Sequence, residues 1–146
     1  MLFLNINESF VQSAGYSGTA LSKKLGIKEG FKLRLLNPPA HYFHLFTDLP
    51  ENVKQNKDLN IKNDLIHFFV TEIEVLKAEL PVLKKQIKPN GCIWVSWPKK
   101  SSKMHTEVTE NEIRHFAFTN GLVDIKVCAV DEIWSGLKLV IPVKDR

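Results

Sequence analysis

From residue 31 onward the apolar positions repeat with two different periods. Phe31-Lys32-Leu33-Arg34-Leu35-Leu36-Asn37 reads as a first strand, and Pro38-Pro39 ends it because a second proline cannot donate to a ladder. His41 to Leu49 suits a brief helix with Tyr42, Phe43 and Phe46 facing inward; Glu51 to Asn63 is polar, a loop with a short edge strand near Val53. Asp64 to Val70 is nearly all apolar, the pattern of a strand covered on both faces. Apolar residues then recur at Ile73, Leu76, Leu80, Leu83 and Ile87, spaced by three and four as a helix requires. Thr71 and Glu74 fit a capping box at its start, and Pro81 should kink the helix or split it. Gly91 to Trp97 is the next strand, entered through Pro89-Asn90-Gly91 and stopped by Pro98. A second capping box, Thr109 with Glu112, opens a helix whose inner face is Ile113, Phe116 and Ala117, and Asn120-Gly121 stops it. In the tail, Val123, Ile125, Val127 and Ala129 alternate, as do Leu137, Leu139 and Ile141, so two antiparallel strands joined at Ser135-Gly136 are predicted.

Residues 1–18 show no clear period, and Gly15-Tyr16-Ser17-Gly18 is a loop signature. Thr19 can cap a short helix carrying Leu21 and Leu25, with Gly26 as its left-handed stop and Lys28-Glu29-Gly30 as a turn into the first strand. Strands alternating with helices predict an α/β fold: a three-layer, Rossmann-like domain with a mostly parallel sheet ending in an antiparallel hairpin. The expected organisation is one domain over residues 1–146, with an N-terminal loop and short helix in 1–30 and the α/β core in 31–143. That ending, helix, strand and reversed strand, is similar to the class I methyltransferase topology.

Composition changes this picture little. With 146 residues, 44% hydrophobic and 25% charged, the chain can bury a sizeable core. No apolar run nears the roughly 20 residues of a membrane helix, and Met1-Leu2-Phe3-Leu4-Asn5 lacks the basic region and cleavage site of a secretory signal. Cys92 and Cys128 each fall in a predicted strand, as isolated thiols of a reducing compartment do, so a cytoplasmic location is expected. A net charge of +4 with scattered lysines argues against a dedicated nucleic-acid binder.

Four stretches resemble a short bacterial family that carries a domain-of-unknown-function label: Gly15 to Thr19, Lys23-Lys24-Leu25-Gly26-Ile27, Trp94 to Ser102, and Val123-Asp124 through Trp134-Ser135-Gly136-Leu137-Lys138-Leu139-Val140. The resemblance covers almost the whole chain after residue 14 and implies no activity. The broader likeness, to a reduced methyltransferase-type Rossmann fold, spans residues 31–143 and is one of topology.

The chemistry such a fold usually hosts has no matching residues. S-adenosylmethionine enzymes place a glycine-rich loop after the first strand and an acid at the end of the second. Here those positions read Asn37-Pro38-Pro39-Ala40-His41, without glycine and with two residues lacking an N–H, and Lys54-Gln55-Asn56-Lys57, with no acid before Asp58. No cofactor and no catalytic residue are therefore assigned. Asn37-Pro38-Pro39 is read as a strand-ending turn, since the motif of amino-group methyltransferases that it resembles needs an aromatic where Ala40 stands. No metal site is assigned: His41 and His44 lack a third ligand, and Asp131 with Glu132 has no partner at ligand spacing. His67, inside an apolar strand, is expected to be a satisfied core histidine. The best binding candidate is the loop at the carboxyl edge of the central strand, where Lys99, Lys100, Ser101 and Ser102 offer ammonium and hydroxyl groups, with Lys103 and His105 close behind. Trp97 and Trp134 could supply flat apolar walls for a phosphate- or carboxylate-bearing ligand. The function expected is thus a non-catalytic domain that binds a small anion or a protein partner, with a divergent S-adenosylmethionine-dependent methyltransferase as the alternative.

Overall fold

The computed structural model describes residues 19–146; the Gly15–Gly18 loop signature lies outside the described residues. Six strands form one sheet: β1 (Lys32–Leu36), β2 (Lys54–Gln55), β3 (Asn63–Phe69), β4 (Ile87–Pro98), β5 (Val123–Ala129) and β6 (Trp134–Val140). Their order is β2-β1-β3-β4-β6-β5; the first four are parallel, while β6 runs antiparallel to β4 and β5 antiparallel to β6. Among the described residues three helices accompany them: α1 (Leu21–Leu25), α2 (Ile73–Lys84) and α3 (Glu110–Thr119), with a 3₁₀ turn at Tyr42–Leu45. This is the α/β architecture that the alternation of periods predicts. The chain lays β2 on one side of β1 and β3 on the other, so the sheet's switch point falls between the carboxyl ends of β1 and β3.

Side chains alternate across the pleat, and the two faces bury different sets. On one, Ile66 and Phe68 of β3, Ile93 and Val95 of β4, and Leu137 and Leu139 of β6 pack under Leu76, Leu80 and Leu83 of α2 and Ile113 and Ala117 of α3. On the other, Leu65, Phe69, Cys92, Trp94 and Val140 pack under Leu25 of α1, Tyr42 of the 3₁₀ turn, Val130 of the β5–β6 turn and Trp134 at the start of β6. Trp94 thus points away from Ile93 and Val95. It is fully buried, and its indole N–H donates to the Leu25 carbonyl at 2.9 Å. That carbonyl belongs to the last turn of α1, whose orphan acceptors need such partners; Gly26, at φ 78°, ends the helix there.

Several local expectations change. Ala20, not Thr19, is the N-cap of α1. Within the 3₁₀ turn Tyr42 is buried, whereas Phe43 faces solvent. The Thr71–Glu74 capping box does not form; Glu72 is the N-cap of α2, and the Ile73 N–H is taken by the Glu107 carboxylate at 3.0 Å, a partner 34 residues away. The helix runs unbroken through Pro81, and Ile87 belongs to β4 and not to the helix face. The second capping box forms as predicted: Glu112 accepts from the Thr109 backbone at 2.8 Å and from its hydroxyl, which holds the Glu112 carboxyl below its ordinary range.

The β5–β6 turn also moves. Ser135 and Gly136 lie inside β6, and the connection is at residues 130–133, where the Asp131 carboxylate accepts from the backbone N–H of Ile133 (2.8 Å) and Trp134 (2.7 Å). Gly136 is there for space, not for turning: a Cβ on it would lie 3.1 Å from Trp94 Cε3 and 3.3 Å from Ser96 Oγ. β5, the outermost strand, leaves Val123, Ile125 and Val127 exposed instead of burying one alternating face. Trp94→Ala should therefore destabilise the protein by about 3–5 kcal/mol, through a cavity and an orphaned Leu25 carbonyl. Gly136→Ala should cost about 1–3 kcal/mol by overpacking. Urea denaturation of both variants, read against the parent, checks the pair; a parent-like midpoint for Trp94→Ala would remove the tryptophan from the core.

Candidate functional site

The carboxyl ends of β1 and β3 diverge at the switch point and leave a cleft of about 330 Å³ between them. Asn37, Phe69, Val70, Thr71, Glu72, Val75 and Trp134 line it. Local structure explains each placement. Asn37 leaves β1 with φ 56°, the left-handed turn that asparagine tolerates better than most residues. Phe69 is the last residue of β3, and Val70-Thr71-Glu72 is the short link into α2. Trp134 arrives from the start of β6, which, being antiparallel, begins where β3 ends; its ring meets Phe69 edge-on at 5.0 Å. The apolar part is thus one aromatic corner and two valines. The Asn37 amide, the Thr71 hydroxyl, the Glu72 carboxylate and the Trp134 indole N–H make no hydrogen bond with any described residue. No lysine, arginine or histidine lines the cleft.

Behind Phe69 lies a buried polar chain. His67 is fully buried and stacked on Phe69 at 4.3 Å; its Nδ1 is 2.9 Å from the Tyr42 hydroxyl and its Nε2 2.7 Å from Ser96 Oγ. Serine, imidazole and a third hydroxyl in line have the spacing of a nucleophile, its base and an orienting group. Ser96 and His67 are both fully buried, however, so no substrate reaches the serine. Burial lowers the His67 pKa to about 3 and raises the Tyr42 phenol above its ordinary value, so the imidazole is neutral. This chain is a structural bond between β3, β4 and the 3₁₀ turn, as expected for a satisfied core histidine.

Of the six residues proposed from sequence, the cleft takes Trp134. Trp97 packs on the opposite face, inside the core under α2 and α3. Lys99 is half-buried, Lys100 and Ser101 are exposed, and the Ser102 hydroxyl donates to the Lys99 carbonyl at 2.7 Å. The lysine loop touches the β5–β6 turn through the Lys99 N–H and the Ile133 carbonyl, 2.7 Å apart, but it does not line the cleft. His41 stands 3.7 Å from Asp131 and joins the loop after β1 to the β5–β6 turn. Among the described residues, no three histidine, cysteine or acidic side chains gather as a metal site would require. Asn37, Thr71 and Glu72 escaped sequence reading because their signal is positional: they matter only once β1 and β3 are known to flank the switch point.

The residues do not fit S-adenosylmethionine in the way the methyltransferase likeness implies. Asn37 supplies the left-handed turn in place of glycine, but Pro38 and Pro39 then remove two amides. After β2, Asn56 donates to Asn63 at 2.8 Å, and Asp58 accepts from the Asn60 N–H at 2.9 Å.

A profile of the DUF3052 family, described as protein of unknown function, matches residues 56–143. No curated protein matches the sequence. Solved structures do resemble the fold. An S-adenosylmethionine-dependent methyltransferase from Aquifex aeolicus aligns with a TM-score of 0.54 at 15% identity, over 82% of this chain and 87% of that one. The ribosomal protein L11 methylase from Lactobacillus delbrueckii subsp. bulgaricus gives 0.54 at 12%, over 95% and 80%. Magnesium protoporphyrin IX methyltransferase from Synechocystis PCC 6803, with S-adenosylmethionine bound, gives 0.56 at 10%, over 92% and 79%. At these identities the likeness is one of fold alone. No helix among the described residues is long and apolar enough to cross a membrane.

The neutral His67 makes a pH prediction. Its folded pKa, about 3, lies below the ordinary value of 6.5, so below pH 6.5 the unfolded chain takes up a proton that the native one refuses. Its contribution is complete above pH 6.5 and is lost as pH falls toward 3, at up to about 1.4 kcal/mol per pH unit. Urea midpoints between pH 7 and 5, above most carboxylate titration, should fall in the parent and stay flatter in His67→Gln; equal slopes would mean the histidine is not buried neutral.

Proposed function

Because this chain belongs to the DUF3052 family, described as of unknown function, we propose its role from the cleft itself: a non-catalytic domain that binds a small molecule between the ends of β1 and β3. The observation that carries this reading is the set of lining groups. Trp134 and Phe69 give an aromatic corner for a flat apolar moiety, while Asn37, Thr71, Glu72 and the Trp134 indole hold polar atoms without partners among the described residues. A carboxylate and no cation select a neutral or cationic ligand, so this cleft favours a different charge from the anion expected of the lysine loop. A nucleoside or an aromatic amine has the required chemistry: a flat ring, donors for Glu72 and acceptors for Thr71 and Asn37. No group in the cleft pairs as nucleophile and base, which supports binding without turnover.

A panel of nucleosides and aromatic amines, with S-adenosylmethionine and its demethylated product included, tests this by thermal shift and tryptophan fluorescence. Of the three tryptophans Trp134 is the one that lines the cleft, so a ligand there should perturb its emission. Glu72→Gln should weaken a cationic hit about tenfold, the scale of one charged hydrogen bond at an exposed position. Trp134→Ala should weaken any hit by at least as much. Binding indifferent to both substitutions would place the ligand elsewhere, and methyl transfer from S-adenosylmethionine would replace the non-catalytic reading with the methyltransferase one.

A further inference from the structure

Away from the cleft, the outer strands carry positive charge that nothing in the described chain neutralises. The register sets Lys32 of β1 beside Lys54 of β2, and both are exposed. Alternation puts Arg34 on the same face, and its neighbour on β3 is Ile66, a member of the core under α2 and α3. Those helices cover β3, β4 and β6, whereas β1 gives that core only the half-buried Leu36. Among the described residues no helix covers the β1–β2 part of this face, and it is basic. Like charges directly opposite one another destabilise a strand pair. The nearby carboxylate of Asp64 is already engaged, accepting from the Lys32 backbone N–H at 2.7 Å and pairing with Lys88 at 2.9 Å. Arg34 is half-buried; its Nε is closed to solvent and has no hydrogen-bond partner, and it forms no ion pair among the described residues. A buried donor left unsatisfied in a native fold calls for a missing acceptor.

We propose that Lys32, Arg34 and Lys54 form a binding site for a small polyphosphate, with the Arg34 fork on two oxygens of one phosphate and the lysines as point charges on its neighbour. Guanidinium is suited to bidentate capture of a phosphate, and ammonium to non-directional neutralisation. Size fixes the ligand class. Adjacent strands lie about 4.8 Å apart and alternate residues about 6.6 Å, so the three cations root within a patch roughly 8 Å across. That matches a di- or triphosphate and is too short for a nucleic-acid backbone or membrane surface, which needs a longer row of cations. The site is independent of the cleft.

Sodium tripolyphosphate, titrated at low ionic strength by calorimetry and thermal melting, is the test. One-site binding that raises the melting temperature is expected, weakened at least tenfold by Arg34→Met and by Lys32→Ala/Lys54→Ala. It should be unchanged in Glu72→Gln and in Lys99→Ala/Lys100→Ala. Without ligand, Arg34→Met should melt at or above the parent temperature, since it removes an unpaired buried donor; a purely structural arginine would lower it. Should Arg34→Met fail to fold, that structural role displaces the proposal unless Arg34→Lys folds and binds several-fold more weakly than the parent. Absence of binding, survival of affinity in Arg34→Met, or its loss in the Lys99/Lys100 variant overturns the site. A single-stranded oligonucleotide that binds without competition from tripolyphosphate overturns it in favour of a nucleic-acid surface.

Discussion

The burial of Trp94 at the middle of β4 is the constraint around which one whole side of the sheet is arranged. Its register partner on β6 is Lys138, and the indole lies over the diagonal neighbour two residues away, where a Cβ would lie 3.1 Å from the ring; that neighbour is Gly136. Once Gly136 lies inside β6, the β5–β6 turn cannot be at Ser135-Gly136, and Asp131 closes it four residues earlier. The indole N–H also fixes α1, because a buried donor must find an acceptor and the Leu25 carbonyl at the helix end is the one available. One side chain thus bears on its diagonal neighbour, the turn and the helix position.

The polar chain of Tyr42, His67 and Ser96 does for the neighbouring strand what Trp94 does for the centre. Its three groups satisfy one another in a place where none could be left unpaired, and it anchors the loop that follows β1. That loop begins at Asn37, whose left-handed turn opens one wall of the cleft. Trp134, on the other wall, is held by the Asp131 turn that Gly136 made necessary. The cleft is therefore a consequence of how the core on the α1 side is solved.

A switch point is a property of topology, set here by the strand order of the sheet. What binds there is a property of side chains. Two prolines after Asn37 and a carboxylate at Glu72 give the cleft a chemistry of its own, and the β1–β2 face, with Lys32, Arg34 and Lys54, has another. Fold likeness at 6–15% identity speaks to architecture, while the chemistry of both sites rests on their own residues.

Element types, their order and the α/β class are legible along the chain, because apolar period and proline or glycine punctuation are local signals. The Thr109–Glu112 box, the left-handed stop at Gly26 and the buried, satisfied His67 were legible for the same reason: each depends on neighbours in sequence or on an apolar context that the sequence displays. What failed was non-local. The start of α2 is capped by Glu107 and not by Thr71, Trp97 turns into the core and not toward a ligand, and Gly136 serves packing and not a turn. The cleft belongs to this second group. Asn37, Thr71, Glu72 and Trp134 come from three separate stretches that meet only because β3 crosses to the far side of β1, and Lys32 meets Lys54 only through strand register. Tertiary structure decided these sites because a strand's partner, face and register are fixed by burial across the whole sheet, and no local window of residues contains that information.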